Sequence, residues 1–152
     1  WYTMYGTIIQ CRNWLPDEVG GVVWLAQDNI ASSIYIPVYA GTTKLPESYS
    51  TPGRTNGYTR ESAWWAFNRL GTLAAQRWGD MHKDIDEVWD PWQKKLFEQQ
   101  AEIDRKAREL YEKDPEKAKI FLTNHTNKWG NKVVEKAWNL GDELWTKYDE
   151  QF

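Results

Sequence analysis

The sequence predicts an α+β chain, with short antiparallel strands up to residue 40 and a predominantly helical half from residue 60. Three observations carry this. Between Met4 and Tyr39 the apolar residues come in short runs rich in β-branched and aromatic types, separated by turn-forming residues. From Arg60 onward the apolar positions recur at helical spacing. Between the two lies a stretch, 41–59, with three Gly, two Pro and many Ser and Thr, the composition of a long surface loop. A length of 152 residues fits one domain, 1–152, divided into strands (1–40), loop (41–59) and helices (60–152).

The first strand is expected at Thr7-Ile8-Ile9, the second at Gly21-Val22-Val23-Trp24-Leu25-Ala26, and the third at Ile34-Tyr35-Ile36-Pro37-Val38-Tyr39. Leu15-Pro16-Asp17, Gly20-Gly21 and Gln27-Asp28-Asn29 supply the turns of an antiparallel meander. Val22 to Ala26 is apolar without alternation, which predicts a strand covered on both faces. Pro37 has no N–H for a ladder, so the third strand belongs at an edge or a bulge. Three short strands make a poor sheet alone and read as part of a larger one.

In the second half, Ala63, Phe67, Leu70, Ala74 and Trp78 fall on one helical face. Asp90-Pro91 has the form of an N-cap followed by proline at the first helical position, and opens a stripe of Trp92, Leu96, Ile103, Ala107 and Leu110. Asp114-Pro115 repeats that signal, and a last stripe runs through Trp129, Val133, Ala137, Leu144 and Tyr148. Three or four amphipathic helices in antiparallel succession are predicted, joined by short loops.

Composition narrows the function classes. Nineteen Lys and Arg against 22 Asp and Glu give a formal net charge of −3, without the basic excess that draws a chain to nucleic acid or an anionic membrane. The single cysteine, Cys11, excludes an internal disulfide framework, and no Cys/His cluster has zinc-ligand spacing. No apolar run approaches the roughly 18 residues of a membrane span, and the first residues lack the basic-then-apolar order of a signal peptide. Because the chain starts at Trp1 rather than Met, it reads as a piece of a longer protein. Its unusual feature is eleven tryptophans, which alone could build a substantial core.

Catalytic chemistry is not visible residue by residue. Cys11 lies at a strand end, outside any recognisable pairing with His82 or His125, and reads as a small, partly buried hydrophobe. Each histidine stands in polar helical sequence and reads as solvated or capping. Asp84, Asp86, Glu87 and Asp90 form an acidic run of the kind that usually marks a solvated helix face. No Gly-rich phosphate loop or Gly-x-Ser-x-Gly occurs. The reading therefore assigns no catalytic residue, no metal and no cofactor. Exposed tryptophans could serve a carbohydrate-binding module, but Trp64, Trp78, Trp92, Trp129, Trp138 and Trp145 lie at or beside the apolar stripes, which favours core packing. Only Trp14, in a turn, reads as an exposed ring.

Three segments in order, Thr7-Ile8-Ile9-Gln10-Cys11-Arg12-Asn13-Trp14-Leu15-Pro16-Asp17-Glu18-Val19-Gly20-Gly21-Val22-Val23-Trp24, then Tyr35-Ile36-Pro37-Val38-Tyr39-Ala40-Gly41, then Ser62-Ala63-Trp64-Trp65-Ala66-Phe67, resemble the C-terminal part of bacterial dipeptidase A-type cysteine dipeptidases. The helical tail through Ile103 to Tyr111, Phe121-Leu122-Thr123 and Leu144 to Tyr148 extends the resemblance over essentially the whole chain. It implies an N-terminal-nucleophile hydrolase, an αββα sandwich in which a cysteine at the mature N-terminus attacks the peptide carbonyl and its own α-amino group takes the thiol proton. Cys11 is interior and does not match that nucleophile, so the resemblance implies no catalysis by this chain alone. Its implied partners are the N-terminal part of the same protein and, in the parent, a dipeptide substrate. A homo-oligomer through residues 4–40 is the alternative way to complete the strands, and an assembly module the alternative class. Arg12, beside the Asn13 to Glu18 turn, reads either as a surface or loop-pinning arginine or as the residue that contacts a substrate carboxylate, since guanidinium pairs with carboxylate bidentately.

Overall fold

The computed structural model describes residues 3–150. Three strands, β1 (Tyr5–Cys11), β2 (Gly21–Gln27) and β3 (Ile36–Tyr39), form one antiparallel sheet in the order β1-β2-β3. A four-residue helix, α1 (Asp17–Gly20), lies in the β1–β2 connection, and a second, α2 (Glu47–Ser50), lies in the segment after β3. Three long helices follow: α3 (Ala63–Ala74), α4 (Trp78–Lys113) and α5 (Pro115–Lys147). The fold is α+β, and Pro37 sits on an end strand as its missing donor requires.

The sheet is covered from one side. Val22, Trp24 and Ala26 of β2 are at most 4% exposed and join a core with Phe67, Leu70, Trp89, Leu122, Val133 and Leu144 from the helices. Val23 and Leu25, alternating with them, are only half-buried. The expectation of two covered faces is therefore corrected: the described residues supply one helical layer, and the opposite sheet face has none.

The helices show which sequence signals held. Ala63, Phe67, Leu70 and Ala74 are all within 1% of complete burial, as their spacing predicts. Trp78 leaves that stripe, because the chain tightens into a 3-10 turn at 75–77 and Arg77 adopts φ −144°, ψ 60°, so Trp78 opens α4 and is 41% exposed. Asp114 does cap α5: its carboxylate accepts the Glu116 N–H at 3.0 Å and Pro115 takes the first helical position.

Asp90-Pro91, the same dipeptide type, does not start a helix, and α4 runs straight through it for 36 residues. Pro91 withholds one hydrogen bond from the Glu87 carbonyl, but Glu87, Asp90 and Pro91 are all exposed, where water can take that carbonyl. Ile85, Trp89 and Leu96 bury the other side, and tertiary packing rather than local propensity keeps the helix whole. At 1.5 Å per residue, α4 and α5 are about 54 and 50 Å long. They form an antiparallel hairpin hinged on Asp114, and Lys147 Nζ near the end of α5 lies 2.7 Å from Asp84 near the start of α4.

Half of the described tryptophans are buried, and two more, Trp65 and Trp92, pack against the core. Trp24, Trp64, Trp89, Trp129 and Trp138 are buried, and Trp89, Trp92 and Trp129 contact edge to face in series at 5.6 and 6.1 Å across α4 and α5. Trp14 is 74% exposed, as expected of its turn, whereas Trp145, expected beside the last stripe, is 55% exposed. The 41–59 segment is fastened to the helices: the Trp65 indole N–H donates to the carbonyls of Gly53 at 3.2 Å and Gly57 at 2.7 Å. Gly53 lies so close to Trp64 that a Cβ there would come within 2.8 Å of the ring.

Candidate functional site

The site begins where β1 ends. The Arg12 N–H donates to the Gly20 carbonyl at 3.2 Å, closing the β1–β2 connection, while Val19 and Gly20 N–H both donate to Pro16 O as α1 turns. This directs the Arg12 side chain into the connection instead of toward solvent. Its Nε donates to Gly20 O at 3.2 Å and its Nη2 to Val19 O at 2.7 Å, and its Nη1 forms an ion pair with the Asp104 carboxylate. Gly20 has to be glycine, because a Cβ would stand 2.5 Å from Arg12 O.

Asp104 comes from α4, and its other oxygen accepts the Tyr39 hydroxyl at 3.0 Å. Arg12 is 8% and Tyr39 2% exposed, so charge and hydroxyl alike are held away from water. Burial, and then the neighbouring Asp104 charge, push the Tyr39 hydroxyl far above its ordinary range, so it stays protonated and donates. Three elements distant in sequence thus meet at one ion pair.

Beside this cluster is a cavity of about 300 Å3 lined by Arg12, Trp14, Leu15, Asp104, Arg105 and Arg108. Its cationic wall is largely satisfied from within the chain. Arg105 donates to both Glu102 oxygens, at 2.8 and 2.7 Å, and to Glu109 at 2.5 Å, and Arg108 lies 3.7 Å from Glu112.

A second polar constellation, not singled out from sequence, lies at the far end of the β1–β2 pair. Asp28 is 7% exposed and adopts a left-handed φ of 52°, with its carboxylate accepting from Asn68 Nδ2 at 3.2 Å. Burial, opposed by hydrogen bonds from Asn29 and Asn68, raises its pKa. Its sequence signal was the Gln27-Asp28-Asn29 turn alone, which marks a bend and not a buried acid. At about 3.3 Å per residue along β1, it is roughly 25 Å from Arg12, too far for both to hold one small substrate.

The other candidates stay apart from both clusters. Cys11 is exposed, correcting the partly buried reading: as the last residue of β1 it points away from the helical layer. His82 sits on α4, 2.9 Å from Asp86 and against the Trp78 ring. His125 is half-buried and packs edge-on to Tyr39 at 6.2 Å, and burial, with the Lys128 charge, lowers its pKa to about 4. Asp84 likewise leaves the solvated acidic run: burial opposes its charge, but hydrogen bonds from Lys147 and Tyr148 outweigh that and hold its pKa low. Among the described residues no group of three His, Cys, Asp or Glu has metal-holding geometry, and no helix is long and apolar enough to cross a membrane.

Comparison with known proteins adds two findings. The family model described as peptidase family C69 matches residues 3–91, from before β1 to the middle of α4. The chain is also 28% identical, over 152 residues, to dipeptidase A of Lactobacillus helveticus, an alignment covering 93% of this chain and 30% of that protein. The chain thus spans about 30% of the length of the curated relative it matches.

Proposed function

Since the chain belongs to peptidase family C69 and matches the C-terminal part of a dipeptidase, we propose that it is the non-catalytic C-terminal segment of a cysteine-type dipeptidase that hydrolyses the peptide bond of dipeptides. In this reading the parent is an N-terminal-nucleophile enzyme and its attacking thiol comes from outside this chain. The segment contributes three strands, the helical layer behind them, and the wall built around Arg12.

The environment of Cys11 carries this proposal. An N-terminal cysteine brings its own base, because the α-amino group, less basic than a lysine amine, can take the thiol proton and return it to the leaving amine. Cys11 follows Gln10 at the end of β1, inside the chain, has no such amine, and makes no side-chain hydrogen bond to any described acid or base. Family membership thus supports the reaction, while the position of the one cysteine supports a nucleophile elsewhere.

Within the proposal Arg12 first holds the wall: three of its five N–H groups are spent on Val19, Gly20 and Asp104. A contact to the substrate carboxylate would fall to the two N–H groups left over, since Arg12 lines the cavity with Trp14. The packing of seven of the described indoles in or against the core supports the core role over a carbohydrate platform, which would need several exposed rings side by side. The test is an assay of the chain alone against a panel of dipeptides, where no hydrolysis above buffer is expected. Turnover that vanished in Cys11→Ala would overturn the proposal.

A further inference from the structure

The two ends of the sheet are finished differently. In an antiparallel ladder alternate residues turn their N–H and C=O toward the neighbour and the rest turn theirs away. The N–H of Asp28 donates to Met4 O and that of Arg12 to Gly20 O, so the even-numbered residues of β1 face β2. Tyr5, Thr7, Ile9 and Cys11 therefore direct their backbone groups away from it. On β3 the bond from Ala40 N–H to Gly21 O fixes the phase in the same way, and Tyr35, Pro37 and Tyr39 point outward, Tyr39 being 2% exposed with its carbonyl accepting the Thr42 N–H at 2.9 Å.

The outward groups of Tyr35 and Pro37 are all closed. Gln93 accepts the Tyr35 N–H at 2.9 Å and donates to the Tyr35 carbonyl at 3.2 Å; Pro37 has no N–H, and its carbonyl accepts the Thr126 hydroxyl at 2.9 Å. The outward groups of Tyr5, Thr7, Ile9 and Cys11 have no hydrogen-bond partner among the described residues, and all four residues are exposed. Natural sheet edges are blunted by charge, proline, a bulge or brevity. The seven residues of β1, Tyr-Gly-Thr-Ile-Ile-Gln-Cys, have none of these.

Both faces of β1 are also apolar and open. On the helical side Ile8 and Phe97, each 53% exposed, border a cavity of about 360 Å3 that Trp24 and Tyr35 also line. On the other side Ile9, 72% exposed, stands in register with Val23, which in turn pairs with Val38, both half-buried.

We propose that β1 is an interior strand of a larger sheet, and that its free edge takes a further apolar β-strand from the part of the dipeptidase polypeptide outside this chain. This rests on the reading of the chain as a segment of a longer dipeptidase, and the relative's length leaves ample polypeptide for it, since this chain covers 30% of dipeptidase A. A second copy pairing β1 with β1 would satisfy the edge but leave the Ile8 and Phe97 groove and the Ile9 row uncovered. A strand continuing into the body of the same enzyme brings cover for both faces.

Residue-resolved hydrogen exchange tests this on the chain alone and on the intact polypeptide containing it. In the chain alone, amides of Gly6, Ile8 and Gln10 are expected to be protected and those of Tyr5, Thr7, Ile9 and Cys11 open. In the intact polypeptide the second set is expected to slow by about 100-fold or more. Open outward amides in both would overturn the proposal. Outward amides protected in the chain alone and released on dilution would identify a second copy as the occupant and equally overturn it. Ile9→Pro keeps the test sharp: it removes only an outward donor, so the chain alone is expected to retain its folded spectrum while the intact polypeptide loses protection along β1. Unchanged protection along β1 in the intact Ile9→Pro protein would also overturn the proposal. Exchange is read without any activity assay, so dipeptide turnover with an open edge would refute the strand while leaving the dipeptidase reading standing.

Discussion

Arg12 and Asp104 stand 92 positions apart in the sequence and form a buried ion pair whose free carboxylate oxygen takes the Tyr39 hydroxyl. The contact ties the β1 turn, the last residue of β3 and the middle of α4 to one charge, so strands and helical layer are held in register at this end of the sheet. Removing Asp104 leaves the buried Arg12 guanidinium charged and away from water, whereas Asp104 itself is half-buried and borders the cavity.

Asp104→Ala is accordingly expected to destabilise the chain by about 3–5 kcal/mol, the usual cost of stranding the buried member of such a pair. Urea denaturation of the chain measures it. A loss within about 0.5 kcal/mol, typical of a surface substitution, would show that the pair does not hold the fold.

Pro91 and Pro115 are expected to respond oppositely to alanine. Pro91 interrupts the hydrogen-bond ladder inside α4, so Pro91→Ala should raise stability by up to about 3 kcal/mol. Pro115 occupies the first turn of α5, where its missing N–H costs nothing, so Pro115→Ala should stay within about 0.5 kcal/mol of the parent. Thermal melts of the two variants decide it, and a lower melting temperature for Pro91→Ala would contradict the continuous helix.

His125 predicts an acid-side loss of stability. Its pKa is lowered from the ordinary 6.5 to about 4, so between those values the unfolded chain binds more protons than the folded one. Its contribution is complete above pH 6.5 and falls away toward pH 4, by at most about 1.4 kcal/mol per pH unit. His125→Phe, which keeps a ring against Tyr39, should flatten this part of the stability curve. An unchanged slope would place the titration elsewhere.

Limited proteolysis should open the chain at 54–58, where every residue is exposed, rather than at the fastened parts of 41–59. Trypsin is expected to cut first after Arg54. A first cut within α3 would contradict the packing of its Ala63, Phe67, Leu70 and Ala74 stripe.

The strands, the α3 stripe and the Asp114 cap were legible because each rests on local chemistry: β-branched runs, helical spacing, and a carboxylate beside a free N–H. Asp90-Pro91 misled because the cap signal at Asp114 and the false one at Asp90 are the same two residues, and only the burial of Ile85, Trp89 and Leu96 decides that the helix continues. Cys11, His125 and Trp145 were misjudged for a related reason, since exposure at one side of an element depends on which neighbour arrives there. Arg12 could be picked out as an arginine beside a turn. Its partners could not, because Asp104 and Tyr39 are remote in sequence and nothing in their own surroundings marks them. Asp28 was hidden likewise, its turn being visible and its burial against Asn68 not.

The central claim is that this segment builds the enzyme without supplying its nucleophile, and substitution of its one cysteine in the intact polypeptide addresses that most directly. Dipeptide hydrolysis would be measured for the parent and for Cys11→Ala, each before and after iodoacetamide. The account predicts that Cys11→Ala retains turnover close to the parent's and that alkylation abolishes it in both, through a thiol outside this chain. Abolition of turnover by Cys11→Ala, in a protein that still folds, would make Cys11 the nucleophile and contradict the account.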